Sequence, residues 1–286
     1  MEERSIAICG LPGSGKTTFL AALWHLVTSR EIDTALRFDS LRNGDASHLN
    51  AIAARWRNAM VQDRTTMGAN RLVSMRLVNT AGTRVRLTFP DVSGEAFRQI
   101  WEERDCDVTV ADMLRSGEVL LFVHADTIQA PRWVVEDTSL VRQLGLTTVE
   151  GEEVTWHPKL APTQVQLVDL LQLLRKPPLD IGPRRLAVIL SAWDKVIAEG
   201  MLPEELLEVK LPLLKQYLNQ QSDGWVWTAY GLSAQGGDYD RLDPNTPLSS
   251  EAQAIRELDS ASTRIRLVGN GRESHDLTEP LVWLLE

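Results

Sequence analysis

Gly10-Leu11-Pro12-Gly13-Ser14-Gly15-Lys16-Thr17 is the stretch on which the reading of the fold turns. Residues 5–9, just before it, form a short apolar strand. Residues 17–29, just after it, form a helix rich in Leu, Ala, Phe and Trp, apolar on most faces and so suited to burial. The octapeptide satisfies Gly-x-x-x-x-Gly-Lys-Thr, the Walker A pattern. Its residue types follow from what a chain of phosphates requires. Glycines let successive backbone N–H groups turn inward as a nest of donors. A helix starting near Gly15 points the positive end of its dipole at the same anion. Lys16 reaches the β- and γ-phosphates as a point charge, and Thr17 offers its hydroxyl to Mg²⁺. Leu11, Pro12, Gly13, Ser14 and Thr18 complete the expected cradle for a nucleoside triphosphate.

Working outward, the chain alternates strands and helices, with no repeat of fixed period. Residues 45–60 read as a helix. Residues 71–78 and 84–89 alternate polar with apolar around the turn Asn79-Thr80-Ala81-Gly82-Thr83, which makes them a hairpin. Residues 95–104 and 108–115 read as helices. Residues 119–124 and 186–191 are continuous apolar strands, as expected for positions covered on both faces. Residues 163–176 form an amphipathic helix ended by Pro177-Pro178. Residues 203–218 are helical with a break at Pro212, 225–232 are a strand, 234–262 are polar and bear Gly and Pro, and 277–286 close the chain as a helix. The pattern predicts an α/β, three-layer P-loop NTPase fold, its sheet mostly parallel with one antiparallel hairpin strand and helices on both faces. Without a Ser/Gly linker, the chain reads as one domain, 1–286, with an insertion at about 127–162 and an elaborated segment at about 236–286.

Three later segments carry chemistry. Strand 84–89 runs into Pro90-Asp91-Val92-Ser93-Gly94-Glu95, an Asp-x-x-Gly in which Asp91 would hold Mg²⁺ through a water and the Gly94 N–H would meet the γ-phosphate. The end of strand 186–191 leads into Leu190-Ser191-Ala192-Trp193-Asp194-Lys195, where GTPases place Asn/Thr-Lys-x-Asp. Asp194 stands where a carboxylate accepts two hydrogen bonds from guanine N1–H and N2–H₂. Adenine offers no such pair, and charged hydrogen bonds of about 1.5–3 kcal/mol each discriminate strongly. Ser191 replaces Asn or Thr, and Ala192 replaces the Lys that packs along the base. The third segment, Gly231-Leu232-Ser233-Ala234-Gln235, resembles the Ser-Ala-Lys turn whose backbone N–H contacts guanine O6.

In order, these four segments resemble the Ras-like, translation-factor-related class of P-loop GTPases over residues 4–126 and 185–235. The run from Gly10 to Trp24 and the closing Glu279-Pro280-Leu281-Val282-Trp283-Leu284-Leu285 look like the bacterial double-GTPase family. That resemblance implies a regulatory GTPase encoded beside a second GTPase and partner proteins in multi-component conflict or defence systems. The implied nucleotide site comprises residues 10–18, Gly94, Asp194, Lys195, Ser233 and Ala234. The implied Mg²⁺ ligands are Thr17, Asp91 and a switch threonine, Thr66 or, as the alternative, Thr65. Glu95 stands where many such GTPases have Gln, and a carboxylate beside a γ-phosphate is unfavourable without a compensating cation. The expectation is slow intrinsic hydrolysis involving Lys16 and Glu95, with Arg64 or Arg98 as an internal finger or with a partner supplying one.

Composition narrows the alternatives. A net charge of −9 with no Lys/Arg run gives no sign of a nucleic-acid surface, so none is expected as a partner. No uninterrupted apolar stretch reaches about 18 residues, so no membrane span is expected. Cys9 and Cys106 match no metal spacing; Cys9 reads as a buried thiol, and the set suits a cytoplasmic protein. His25 and His124 read as packed or hydrogen-bonded core residues. Trp133 and Trp156 read either as anchors for a protein partner or as a small satellite core. A P-loop ATPase or small-molecule kinase, and a nucleotide-sensing scaffold without turnover, stay open beside the GTP switch.

Overall fold

The structure, a computed structural model, describes residues 4–43, 46–62, 72–90, 94–115, 117–131, 157–220, 224–241 and 249–286. At its centre is β1 (Arg4–Gly10), whose alternating side chains go to opposite faces: Ile6 and Ile8 to one core, Ala7 and Cys9 to the other. Burial pushes the Cys9 thiol up to about 12, so it packs as a neutral apolar group. The chain continues through α1 (Lys16–Ser29), β2 (Arg37–Asn43), α2 (Ala46–Arg57), β3 (Leu72–Val78), β4 (Arg84–Pro90), α3 (Gly94–Glu103), α4 (Val108–Leu114) and β5 (Glu118–His124). After residues 132–156, which lie outside the described residues, come α5 (Thr163–Leu173), β6 (Arg184–Ser191), α6 (Pro203–Lys210), α7 (Pro212–Asn219) and β7 (Trp225–Ser233). The chain closes with α8 (Ser250–Arg256), β8 (Arg266–Gly269), β9 (Arg272–Ser274) and α9 (Glu279–Trp283).

Among the described residues these strands form one sheet in the order β2-β3-β4-β1-β5-β6-β7-β8-β9. The central pairs β4–β1, β1–β5, β5–β6 and β6–β7 are parallel. β3 runs against its neighbours, as the hairpin turn predicts, and β8 does the same at the far edge. One face carries α1, α2 and the Leu281 and Leu284 side chains of the closing segment. The other carries α3 to α7. The three layers are therefore those of a P-loop α/β fold.

Some elements differ from the sequence reading. β2 was not foreseen, and neither were β8 and β9. The polar stretch 234–262 holds α8, which starts where Ser249 Oγ accepts the Ala252 N–H at 3.1 Å and buries Ala252 and Ile255. The helix read at 163–176 ends at Leu173, and the one read at 277–286 is confined to Glu279–Trp283. The break at Pro212 is present, dividing α6 from α7.

Two distant contacts close the molecule around α1. Asp276 Oδ2 accepts the Ala35 N–H at 2.7 Å, and Thr278 Oγ1 accepts the Leu36 N–H at 3.1 Å, tying the segment after α1 to residues about 240 positions later. Arg184, buried, donates to Leu114 O at 2.6 Å and Leu179 O at 2.5 Å, fastening the start of β6 to α4.

Candidate nucleotide-binding site

β1 has β4 on one side and β5 on the other, so the chain leaves its carboxyl end at a point where the sheet's connections diverge. Open α/β sheets bind ligands in the crevice at such a point. The phosphate loop fills it. Gly15 caps α1 with φ 87 and ψ 7, a left-handed conformation, and brings no side-chain acceptor to the first turn. The first-turn N–H groups of a helix have no partner within it, and an anion at a helix N-terminus satisfies them. Lys16 folds over the loop, its Nζ donating to Gly10 O at 2.7 Å, Leu11 O at 2.9 Å and Ser14 Oγ at 3.1 Å. It also stands 5.5 Å from the Phe97 ring centroid. The ammonium is thus held at the loop by acceptors that phosphate oxygens can replace.

The loop is braced from β6. Ser191 Oγ donates to Ser14 O at 2.9 Å, and an added Cβ on Gly15 would lie 3.0 Å from Ser191 Cβ and Oγ. Serine at 191 therefore does two things: it supplies the hydrogen bond and leaves just enough room for the loop. The turn after β6 then takes a left-handed residue, Ala192 at φ 54. Trp193 tucks under the sheet, its indole lying where any Cβ on Gly231 would come within 2.3 Å of the ring. Asp194, half-buried, follows Trp193 directly. A cleft of about 220 Å³ results, lined by Gly13, Gly15 and Thr18 of the phosphate loop, Ala192 and Asp194, and Ala234 and Gln235.

His124, at the end of β5, also lines this cleft. It is half-buried, where a packed or hydrogen-bonded core residue was expected, and among the described residues its Nδ1 has no hydrogen-bond partner. Burial holds its pKa below the usual imidazole value against the opposing pull of Asp126 and Asp194. His25 does follow expectation: it is buried and meets Glu31 Oε1 at 2.9 Å.

Comparison with known proteins fits this geometry. The Double-GTPase 1 family matches residues 7–284, nearly the whole chain. The chain belongs to this family. Membership in a GTPase family supports GTP binding. No curated protein matches the chain. Among solved structures, similarity extends to sup35 complexed with GMPPNP, at 14% identity over 90% of this chain and 45% of that one, with a TM-score of 0.37. It also extends to the signal recognition particle receptor SRb-GTP/SRX complex from Chaetomium thermophilum, at 11% identity over 82% and 92%, with a TM-score of 0.39. The S. cerevisiae Ski7 GTPase-like domain bound to GTP is 12% identical over 86% and 47%, with a TM-score of 0.37. The chain thus spans under half of the sup35 and Ski7 chains.

Within this double-GTPase chain, the structure brings some of the sequence-derived residues together and leaves others apart. Gly13, Gly15, Thr18, Asp194 and Ala234 meet around one cleft. Lys195 and Ser233 stand near it but are engaged elsewhere: Lys195 Nζ pairs with Asp238 Oδ1 at 2.7 Å, and Ser233 Oγ accepts the Gly236 N–H at 3.2 Å. Asp238 raises the Lys195 pKa through that bond. Gly94 opens α3. Thr65, Thr66 and Asp91, the side chains of Glu95 and Arg98, and Trp133 and Trp156 lie outside the described residues. Among the described residues no helix is long and apolar enough to cross a membrane. Gln235 and His124 are lining residues that motif spacing did not single out.

Proposed function

We propose that the chain is a single-domain guanine-nucleotide switch that binds GTP with Mg²⁺ and hydrolyses it slowly, or faster when a protein partner contributes a cation. One observation carries the reading: the phosphate loop and the two strand-end turns that bear Asp194 and Ala234 line one cleft, although those turns lie about 180 and about 220 residues beyond the loop. A triphosphate laid along the loop puts its base against Asp194, whose carboxylate accepts guanine N1–H and N2–H₂ but finds no donor pair on adenine. Lys16 exchanges its carbonyl partners for phosphate oxygens, and Ser191 keeps the loop in shape as it does so.

The donors suit Mg²⁺. Thr17, at the second position of α1, supplies a hard hydroxyl oxygen beside the phosphates, and the ion prefers one or two protein ligands plus substrate oxygens to an all-protein cage. Asp91 and Thr66 are the further proposed ligands. When bound, the ion neutralises charge on the phosphates. Glu95 beside that charge favours slow turnover, with Arg98 or a partner residue as the balancing cation. Family membership supports a second GTPase or effector as partner, in the setting of a multi-protein bacterial system.

Calorimetry with Mg²⁺ tests the reading. GTP should bind at least about tenfold more tightly than ATP, and Asp194→Asn should remove that preference while leaving ATP affinity within about twofold. Tighter ATP binding by the wild type rejects it. Single-turnover phosphate release, with and without cell extract, reports whether a partner accelerates hydrolysis.

A further inference from the structure

We infer that Trp56 is a positioning residue for base recognition, acting from behind the turn that follows β7. The inference rests on the guanine reading above and adds to it a residue from α2, an element outside the nucleotide motifs.

Trp56 lies in the last turn of α2 and is fully buried. Its indole Nε1–H donates to Ala234 O at 2.8 Å, across 178 residues of chain. Ala234 and Gln235 line the base end of the cleft. The peptide joining them is planar and trans, so when its carbonyl is held toward Trp56, the Gln235 N–H points the opposite way. The indole therefore fixes the orientation of a backbone donor in the wall that faces the base edge, where O6 of guanine is the acceptor to be met. The turn is closed from its other side by the Gly236 N–H on Ser233 Oγ, which leaves this peptide little freedom to rotate.

Trp56 is itself held. The Arg264 guanidinium lies over its ring at 3.8 Å and donates to the carbonyls of Trp56 and Arg57. The His25 ring stands 5.1 Å from the indole. A side chain locked from several directions can transmit position, which a mobile one cannot. The same stretch goes on to Ala59 and Val61, which pair with Asp240 through Asp240 N to Ala59 O at 3.0 Å and Val61 N to Asp240 O at 2.8 Å. Arg256 reinforces the junction, donating to Asn58 O at 2.7 Å and Asp240 Oδ2 at 2.6 Å. The base turn and the segment after α2 are thus fastened at two levels.

A bland alternative is that Trp56 is a packed tryptophan whose N–H needed an acceptor. Base analogues separate the two. The full chain is titrated with GTP, ITP, 6-thio-GTP and ATP, as wild type, as Trp56→Phe, and with 3-benzothienylalanine at position 56, which keeps the ring shape but replaces the N–H with sulfur. ITP keeps O6 and lacks the 2-amino group. 6-thio-GTP keeps the N1–H and N2–H₂ that Asp194 accepts but has a weakly accepting sulfur in place of O6. Both variants should bind GTP and ITP about three- to tenfold more weakly, the range of one neutral hydrogen bond, and 6-thio-GTP within about twofold of wild type. Equal loss on all guanine analogues, or no loss with the benzothienyl side chain, overturns the inference even if Trp56→Phe fails to fold. If wild type binds ATP as tightly as GTP, the guanine reading itself fails, and the inference with it.

Discussion

Replacing Gly15 with alanine tests the architecture of the phosphate loop without any ligand. Two costs are legible. Gly15 sits at φ 87, and alanine in the left-handed region costs about 1–2 kcal/mol. The new Cβ also lies 3.0 Å from both Cβ and Oγ of Ser191. Ser191 cannot yield without loss, because its hydroxyl bonds Ser14 O at 2.9 Å; surrendering that bond costs about 1 kcal/mol more. The total of about 2–3 kcal/mol corresponds to a Tm lower by about 3–5 °C in a chain of this size. Gly13 is the control. It too is left-handed, at φ 73, but nothing lies within 4 Å of an added Cβ, so Gly13→Ala carries only the backbone cost, about 2–3 °C. Scanning calorimetry of the ligand-free protein measures both. In a Ser191→Gly background the obstruction is gone, and Gly15→Ala should then cost about 1 kcal/mol less than in wild type, a coupling well within what contacting residues show. Equal Tm losses at Gly13 and Gly15, or the same Gly15→Ala cost in both backgrounds, would refute the reasoning.

Lys16→Ala should weaken GTP binding by at least about a hundredfold, because more than one charge-assisted hydrogen bond to phosphate is lost; unchanged affinity in calorimetry would reject the phosphate-loop assignment. Glu31 gives a pH dependence. Burial opposes its ionisation, but the Ser262 N–H at 2.9 Å, the Ser260 hydroxyl at 2.8 Å and His25 prevail and lower it from 4.5 to about 2. Its contribution to stability is complete above pH 4.5 and disappears as pH falls toward about 2. In acid titration followed by circular dichroism, Glu31→Gln should show a shallower loss across that window, and an unchanged slope would show that the carboxylate is not held this way. Arg184→Met should destabilise by about 2–4 kcal/mol by leaving the Leu114 and Leu179 carbonyls unpaired, seen as a lower urea midpoint at constant slope.

What the sequence revealed depended on how local the signal was. β1, β5, β6 and β7 are apolar runs sandwiched between helices, and burial on both faces writes itself into consecutive residues. The phosphate loop and Asp194 could be read because glycine and carboxylate chemistry demand fixed types at fixed spacing. β2, Arg-Phe-Asp-Ser-Leu-Arg-Asn, carries little alternation: it is an edge strand with two register shifts against β3, held by Phe38 packing edge-on to Trp24 at 5.2 Å. β8 and β9 are too short to show a period. The contacts of Trp56 and Arg264 were invisible for a different reason. Residues 45–60 read as helix, of which Ala46–Arg57 is helical, but nothing in a helical stretch says that its buried indole will meet a carbonyl 178 positions away.

Those long-range ties have a consequence for synthesis. A nascent chain that has emerged as far as residue 240 already carries the phosphate loop, Asp194 and Ala234. It still lacks Arg264 to lie over Trp56, and Asp276 and Thr278 to accept the amides of Ala35 and Leu36. Contacts of such sequence separation form only after the intervening chain is made, and they are slow to close. Closure of the cleft therefore waits for residues 264–278, and a ribosome that stops at residue 240 releases a polypeptide with the proposed recognition residues but without the frame that aligns them.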